Sequence, residues 1–255
     1  MLYNDLKSNF MQNPHKKAII HNNNIYSYKA LWVDAKKIAH WLNTNLELQA
    51  RVGIMLDNSY ETIVAMYGIV MSNRICVPID TDAHERNIKY FVEDASISAI
   101  FTSLKYVDKV EGVDKKNNLK IVLTDSIEID KKYSYFEKII LDISADQFEE
   151  SDKADDSLIA FILYTTGTTG PRKGVILSHA NLLAATNNIN RFMQIGEESI
   201  ESLPMRLSHS FGFARLRCVF NVGGTVILEH GFLRPDRILN NMKLYKANAI
   251  SSVPA

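Results

Sequence analysis

The sequence Tyr164-Thr-Thr-Gly-Thr-Thr-Gly-Pro-Arg-Lys-Gly174 separates two apolar runs, Leu158–Tyr164 and Gly174–Leu177, each of which predicts a β-strand. Its glycines allow the backbone to approach a ligand closely. Its backbone N–H groups, threonine hydroxyls and the amine of Lys173 suit a polyphosphate. The stretch therefore predicts a phosphate-binding loop after a buried strand, with a plain flexible turn as the alternative on composition alone.

The loop differs from two widespread nucleotide-binding motifs. The P-loop pattern GxxxxGK[ST] requires Gly directly before the lysine and Ser or Thr directly after it, whereas Arg172 and Gly174 flank Lys173. No GxGxxG sequence opens a helix, so a Rossmann dinucleotide site is not supported.

Outside the loop, short apolar runs alternate with segments of helical periodicity. Further strands are predicted at Lys17–His21, Asn24–Ser27, Arg51–Leu56, Ile75–Ile79, Ala99–Thr102, Leu119–Leu123 and Thr225–Glu229. Helices are predicted after an N-cap at Ser27, over Ser59–Met71 and Ile88–Ala95, from about Ser178, and from Pro235. This alternation favours an α/β fold of layered, mostly parallel sheets flanked by helices.

Composition narrows the class of protein. Hydrophobic residues make up 46% and charged residues 23% of the chain, which is typical of a globular protein. Because 29 basic and 29 acidic residues cancel, charge gives no reason to expect nucleic acid or an anionic membrane as a partner. Two isolated cysteines favour a reducing compartment, and we expect a cytoplasmic protein without a membrane span.

One acidic segment interrupts the pattern. Residues 142–156 hold seven acidic side chains and one lysine. Charge runs of this kind are usually solvated, so we expect a connection between two structural layers near 142–157 rather than a functional acidic segment.

The loop sequence resembles the Thr/Ser/Gly-rich phosphate loop of the AMP-forming adenylating enzymes, a superfamily of acyl- and aryl-CoA synthetases, nonribosomal adenylation domains and firefly-type luciferases. Its usual form is Tyr-Thr-Ser-Gly-Thr-Thr-Gly-x-Pro-Lys-Gly-Val. Thr166 replaces the common Ser and Arg172 the common Pro, while Lys173 stays in register. Further stretches similar to that family are Val77–Asp80, Glu85–Arg86, Ile176–Leu182, Leu203–Gly212, Val222–Leu228 and Ser252–Pro254.

The resemblance implies ATP-dependent activation of a carboxylic acid to an acyl-adenylate, followed by transfer to a thiol. The implied cofactors and partners are ATP, Mg²⁺, a small-molecule carboxylic acid, and CoA or a pantetheine carrier protein. The residues that the motif match assigns to the nucleotide are Thr165, Thr166, Gly167, Thr168, Thr169, Gly170 and Lys173, and no metal ligand is assigned.

His209 is the catalytic candidate, because the resemblance places it in the acyl pocket, where a neutral imidazole can donate a hydrogen bond to a carboxylate oxygen. A core histidine with a structural hydrogen bond is the alternative. His179 is expected in the first turn of a helix and is left out of catalysis.

The neighbours of His209 in the sequence allow two interpretations. Arg206, Arg215 and Arg217 could recognise a second anionic group, although ordinary surface or interface ion pairs are favoured. Phe211 and Phe213 could line an acyl channel or pack in a core.

The resemblance covers essentially the whole chain, and family segments for adenine, ribose and the catalytic lysine of a small C-terminal domain do not occur in it. We therefore expect the first part of the large N-terminal domain of an adenylating enzyme, over residues 1–255, inactive by itself. A non-catalytic nucleotide- or acyl-binding module is the alternative. An acyl or aryl acid is favoured as substrate, with amino-acid adenylation as the other class.

Overall fold

The computed structural model describes residues 1–114, 119–126, 130–150, 155–165 and 172–252. Within these ranges the strands are β1 (Lys17–His21), β2 (Asn24–Ser27), β3 (Arg51–Met55), β4 (Ile75–Pro78), β5 (Ile97–Thr102), β6 (Lys120–Leu123), β7 (Ser134–Tyr135), β8 (Ile159–Tyr164), β9 (Gly174–Ser178), β10 (Ile200–Leu203), β11 (Thr225–Leu228) and β12 (Ala249–Ile250).

The helices in the same ranges are α1 (Asn4–Gln12), α2 (Tyr28–Asn45), α3 (Tyr60–Met71), α4 (Glu85–Asp94), α5 (Val107–Val113), α6 (Phe136–Asp142), α7 (His179–Met193), α8 (Ser210–Asn221) and α9 (Pro235–Tyr245). A short 3₁₀ turn spans Ala145–Gln147. In the described part of the chain no helix combines the length and the apolar character that crossing a membrane requires.

The chain divides into two compact units. The first comprises Met1–Val33, Asp57–Tyr60 and Ala180–Ala255, and the second comprises Asp34–Leu56 and Glu61–His179. The acidic segment near 142–157 thus lies within the second unit, and the unit boundaries fall at other positions. The expected subdomain connection there stays a prediction.

The first unit contains a five-stranded sheet in the order β12-β10-β11-β1-β2. Its strands are parallel except for β2, which returns antiparallel to β1. Asn22 and Asn23 form the turn with φ of 50° and 65°, the left-handed conformation that a tight hairpin requires and asparagine tolerates. Ser27 Oγ then accepts the Ala30 N–H at 3.2 Å, so the predicted hairpin and N-cap are both confirmed.

The second unit contains a seven-stranded sheet in the order β7-β6-β5-β3-β4-β8-β9. All pairs are parallel except β8 with β9. One face packs against α4 and α5 through a core that includes Met55, Val77, Ile100 and Leu123. Because a parallel connection needs a crossover of about a dozen residues or more, the short stretch after β8 dictates an antiparallel return.

The predicted fold class is confirmed: both sheets are mostly parallel and helices connect their strands. The helix predicted over Ser59–Met71 is α3, and its consistently buried side chains agree with its apolar sequence. Pro235 occupies the first turn of α9 as expected, since its fixed φ suits that position.

Candidate nucleotide-binding site

The predicted phosphate loop leaves the sheet of the second unit as a hairpin. β8 and β9 pair in a register that places Tyr164 opposite Gly174. Beyond that pair, the Thr165 N–H donates to the Lys173 carbonyl at 3.0 Å, and the Lys173 N–H lies 3.4 Å from Thr165 Oγ1. These bonds join the two ends of the loop, and the side chains of Thr165 and Lys173 are exposed there.

The other candidate residues of the loop lie outside the described part of the chain. They are Thr166, Gly167, Thr168, Thr169 and Gly170. Their assignment to the nucleotide stays a prediction from the motif. Thr165 and Lys173 are thus the two candidate residues that the structure brings together.

The base of the hairpin is held by a hydrogen bond that the sequence did not reveal. The Tyr164 hydroxyl donates to Asp94 Oδ2 at 2.6 Å. Burial raises the pKa of the Tyr164 phenol, and the neighbouring Asp94 carboxylate raises it further. Tyr164 therefore stays neutral and acts as a donor throughout the physiological range.

The ends of the loop have the chemistry to bind an anion. Lys173 and Arg172 are adjacent cations, and Thr165 provides a hydroxyl. Amine, guanidinium and hydroxyl groups are donors that match phosphate oxygens. Within the described ranges, no three His, Cys, Asp or Glu side chains are placed to hold a metal ion together.

His209 lies in the first unit, at the residue before α8. Its backbone is extended, with φ of −99° and ψ of 146°, and its side chain is exposed rather than in the core. Its N–H donates to the Arg206 carbonyl and its carbonyl accepts the Phe213 N–H, both at 3.1 Å. A Cβ on Gly212 would lie 2.2 Å from the Arg206 oxygen, so this tight turn into the helix requires glycine.

Asn58 braces the segment before His209, and the sequence analysis missed it. Asn58 is only 7% exposed. Its Oδ1 accepts the Leu207 N–H at 2.9 Å, and its Nδ2 donates to the carbonyls of Met205 at 2.9 Å and Glu229 at 3.1 Å. A polar residue between a buried strand and a buried helix is the sequence signal for such a brace, because a buried amide needs partners.

The arginines after His209 are engaged inside the first unit. Arg215 forms a bidentate ion pair with Glu201, with N–O distances of 2.9 and 2.5 Å. Arg217 donates to the Leu182 carbonyl and to Thr186 Oγ1. The favoured ion pair is thus confirmed for Arg215, and for Arg217 the structure shows hydrogen bonds to a carbonyl and a hydroxyl. Of the surface or interface location that was favoured, the surface alternative is wrong for both residues, because their side chains are buried.

Four other side chains are either buried in the protein or exposed at its surface. Phe213 is buried in the first unit, whereas Phe211 is exposed. The Cys218 thiol is buried and its pKa is raised by that burial, which argues against a nucleophile. His179 begins α7, is fully buried, and has a pKa lowered to about 4 by burial, which agrees with its exclusion from catalysis.

Comparison with known proteins identifies the class. The anthranilate CoA ligase AuaEII, solved with anthranoyl-AMP, superposes with a TM-score of 0.88 at 19% identity over 98% of this chain and 49% of its own. An indigoidine synthase from Dickeya dadantii is 23% identical over 255 residues, or 98% of this chain and 16% of the relative. A medium/long-chain-fatty-acid–CoA/3-oxocholest-4-en-26-oate–CoA ligase from Mycolicibacterium smegmatis is 24% identical over 93% of this chain and 46% of its own.

The chain thus shares its fold with about half of the AuaEII chain. The chain belongs to the family of AMP-binding enzymes, whose family model matches residues 6–255. It spans less than half the length of each of these three relatives.

Proposed function

We propose that the protein containing this chain uses ATP to convert a carboxylic acid to an acyl-adenylate and then passes the acyl group to the thiol of CoA or of a pantetheine carrier protein. The observation that carries the proposal is the hairpin that presents Thr165 and Lys173 at the two ends of the loop. Membership of the AMP-binding enzymes and the names of the two CoA ligases support it.

The loop addresses the main electrostatic difficulty of the reaction. A carboxylate oxygen must attack the α-phosphorus of a triphosphate while the bond to pyrophosphate breaks, so two anions have to approach each other. The ammonium group of Lys173, the hydroxyl of Thr165 and the predicted donors Thr166, Thr168 and Thr169 would bind the β- and γ-phosphates. They reduce the repulsion and stabilise the charge that develops on the leaving pyrophosphate.

Magnesium fits this arrangement through the nucleotide. Mg²⁺ commonly keeps several waters and binds through substrate phosphates together with one or two protein oxygens. The Thr165 hydroxyl is exposed at the end of the loop where those phosphates would lie. When bound, the ion would neutralise part of the triphosphate charge.

His209 would act on the acid rather than on the nucleotide. Its exposed imidazole can donate a hydrogen bond to a carboxylate oxygen, and Asn58 and Gly212 hold the backbone that leads into it. The assignment of His209 to the acyl pocket and the cytoplasmic location both rest on the sequence analysis and stay predictions.

Acid-dependent exchange of labelled pyrophosphate into ATP tests the proposal in the full-length protein. Lys173→Ala should lower the exchange rate by about 10²- to 10³-fold, as removal of a single charge-stabilising donor does in other enzymes. Lys131→Ala is the matched control, because Lys131 is an exposed lysine of the same unit, and it should exchange like the wild type.

The choice of acid separates the substrate classes. Exchange with a fatty or aryl acid supports the favoured class, and exchange restricted to amino acids shifts the proposal to amino-acid adenylation. Nucleotide binding without exchange for any acid in the panel would overturn the proposal and favour a non-catalytic binding module.

A further inference from the structure

Helix α4 holds both ends of the predicted phosphate loop within the second unit. At the entry, Asp94 Oδ2 accepts the hydroxyl of Tyr164 at 2.6 Å. At the exit, the hydroxyl of Tyr90 donates to the Arg172 carbonyl at 3.0 Å. Tyr90 and Asp94 are four residues apart and thus lie on one face of the helix.

Aromatic packing strengthens the same contact. The ring centroids of Phe91 and Tyr164 are 4.2 Å apart, and the Tyr90 ring meets the Tyr164 ring edge-on at 6.1 Å. The guanidinium carbon of Arg172 lies 5.7 Å from the centroid of Phe91, within the range of a cation–π contact. Each end of the loop therefore has a hydrogen bond to α4 and at least one contact with an aromatic ring of that helix.

The contacts with α4 are made by the residues that directly precede the two candidate ligand-binding residues. Tyr164 precedes Thr165, and Arg172 precedes Lys173. Arg172 occupies the position where the family motif commonly has proline, so its backbone lacks the restriction on φ that a proline ring provides. The Tyr90 hydrogen bond and the Phe91 contact restrain this residue instead.

We propose that Tyr90, Phe91 and Asp94 are positioning residues, which hold Thr165 and Lys173 in the arrangement that binds the β- and γ-phosphates of ATP. The inference rests on the proposed function of the loop. A loop that is already restrained loses less conformational entropy when the ligand binds. The restraint should therefore increase the affinity for the triphosphate. AMP lacks the β- and γ-phosphates, so its affinity should not depend on this restraint.

The test compares the dissociation constants of ATP and AMP by isothermal titration calorimetry on the full-length protein, with unfolding in urea measured in parallel. Tyr90→Phe and Tyr164→Phe each remove one hydroxyl and keep the ring. Each substitution should raise the dissociation constant of ATP about three- to tenfold, the range expected for one hydrogen bond, and leave that of AMP unchanged. A combined Tyr90→Phe, Asp94→Ala variant should show a larger loss.

Tyr133→Phe is the matched control. The Tyr133 hydroxyl donates to Glu111 Oε1 at 2.6 Å, so it has the same donor, acceptor type and distance as Tyr164 with Asp94 in the same unit. Its removal should leave the ratio of the ATP and AMP dissociation constants at the wild-type value. A purely structural role of Tyr90 and Tyr164 would change the urea midpoint without changing that ratio, and this result would overturn the inference.

Lys173→Ala separates this inference from the proposed function. If Lys173→Ala removes the preference for ATP while the Tyr90 and Tyr164 variants keep it, the loop binds phosphate and α4 does not position it. If Lys173→Ala keeps the preference for ATP, the proposed function of the loop itself is wrong.

Discussion

The two sheets end in the same way but with different turns. In each sheet one edge strand returns antiparallel, β2 beside β1 and β9 beside β8. The first hairpin turns through Asn22 and Asn23 alone, whereas the second encloses residues 165–173. Both turns interrupt an otherwise parallel sheet.

The polar groups of the two turns have different partners. Asn22 Oδ1 accepts a hydrogen bond from Arg237 at 2.6 Å, so the first turn is bonded within its own unit. In the second hairpin, backbone bonds close the base, and the side chains of Thr165 and Lys173 remain exposed beyond it. The two turns therefore differ in length, in composition and in the partners of their polar side chains.

The largest expected effect comes from giving the second hairpin the short turn of the first. Replacement of residues 165–173 by Asn-Gly removes all candidate donors, so ATP affinity should fall by more than about a thousandfold. The shorter loop costs less entropy to close, so unfolding should require about 1 kcal/mol more free energy. Calorimetry and urea denaturation measure the two quantities, and retained ATP binding would contradict the assignment of the loop.

Acid should destabilise the protein through a buried histidine beside each hairpin. Burial lowers the pKa of His179, which follows β9, to about 4, and burial together with the charges of His230 and Arg237 lowers that of His21 in β1 to about 4. The unfolded chain therefore binds protons first as the pH falls below the usual histidine pKa of 6.5.

Stability should consequently be complete above pH 6.5 and decrease as the pH falls to about 4, with His179 contributing up to roughly 3 kcal/mol. Urea denaturation between pH 7 and pH 4 measures this slope. His179→Gln and His21→Gln should each flatten it, and an unchanged slope in both variants would contradict the assignment.

A smaller effect, on stability and not on ATP affinity, is expected from a substitution in the first turn. Asn23 has φ of 65°, and a β-branched residue in the left-handed region costs about 1–2 kcal/mol, so Asn23→Val should lower the free energy of unfolding by that amount. Asn23→Gly tolerates the conformation and serves as the control. ATP affinity should be the same in both variants, and a weaker affinity in Asn23→Val would show that the first turn is not purely structural.

The smallest expected effect concerns the residue that ends the first hairpin. Ser27 Oγ accepts the Ala30 N–H at 3.2 Å, and loss of such a cap costs about 1 kcal/mol. Ser27→Ala should lower the urea midpoint correspondingly. Ser27→Asp retains an acceptor and should restore most of the difference, whereas equal stability of the alanine variant would exclude a capping role.

Two of the elements that the sequence analysis missed, β10 and α8, share a physical cause. β10 contains the buried Glu201, and α8 contains the buried Arg215 and Arg217, so neither segment shows an uninterrupted apolar run or a clear apolar stripe. The ion pair between Glu201 and Arg215 permits both side chains to be buried. Hydrophobic periodicity cannot reveal such elements, because the charges that hide them are neutralised by a partner far away in the sequence.

The sequence by itself determined the features that depend on neighbouring residues. These are the Asn22-Asn23 turn, the Ser27 cap, the alternation of strands and helices, and the loop chemistry of Tyr164–Gly174. Only the tertiary structure decided which strands pair, that α4 holds Tyr164 and Arg172, and that Asn58 braces the segment before His209. Backbone conformation and hydrogen-bonding capacity are local properties of a residue, whereas the partner of a buried polar group is fixed by long-range packing.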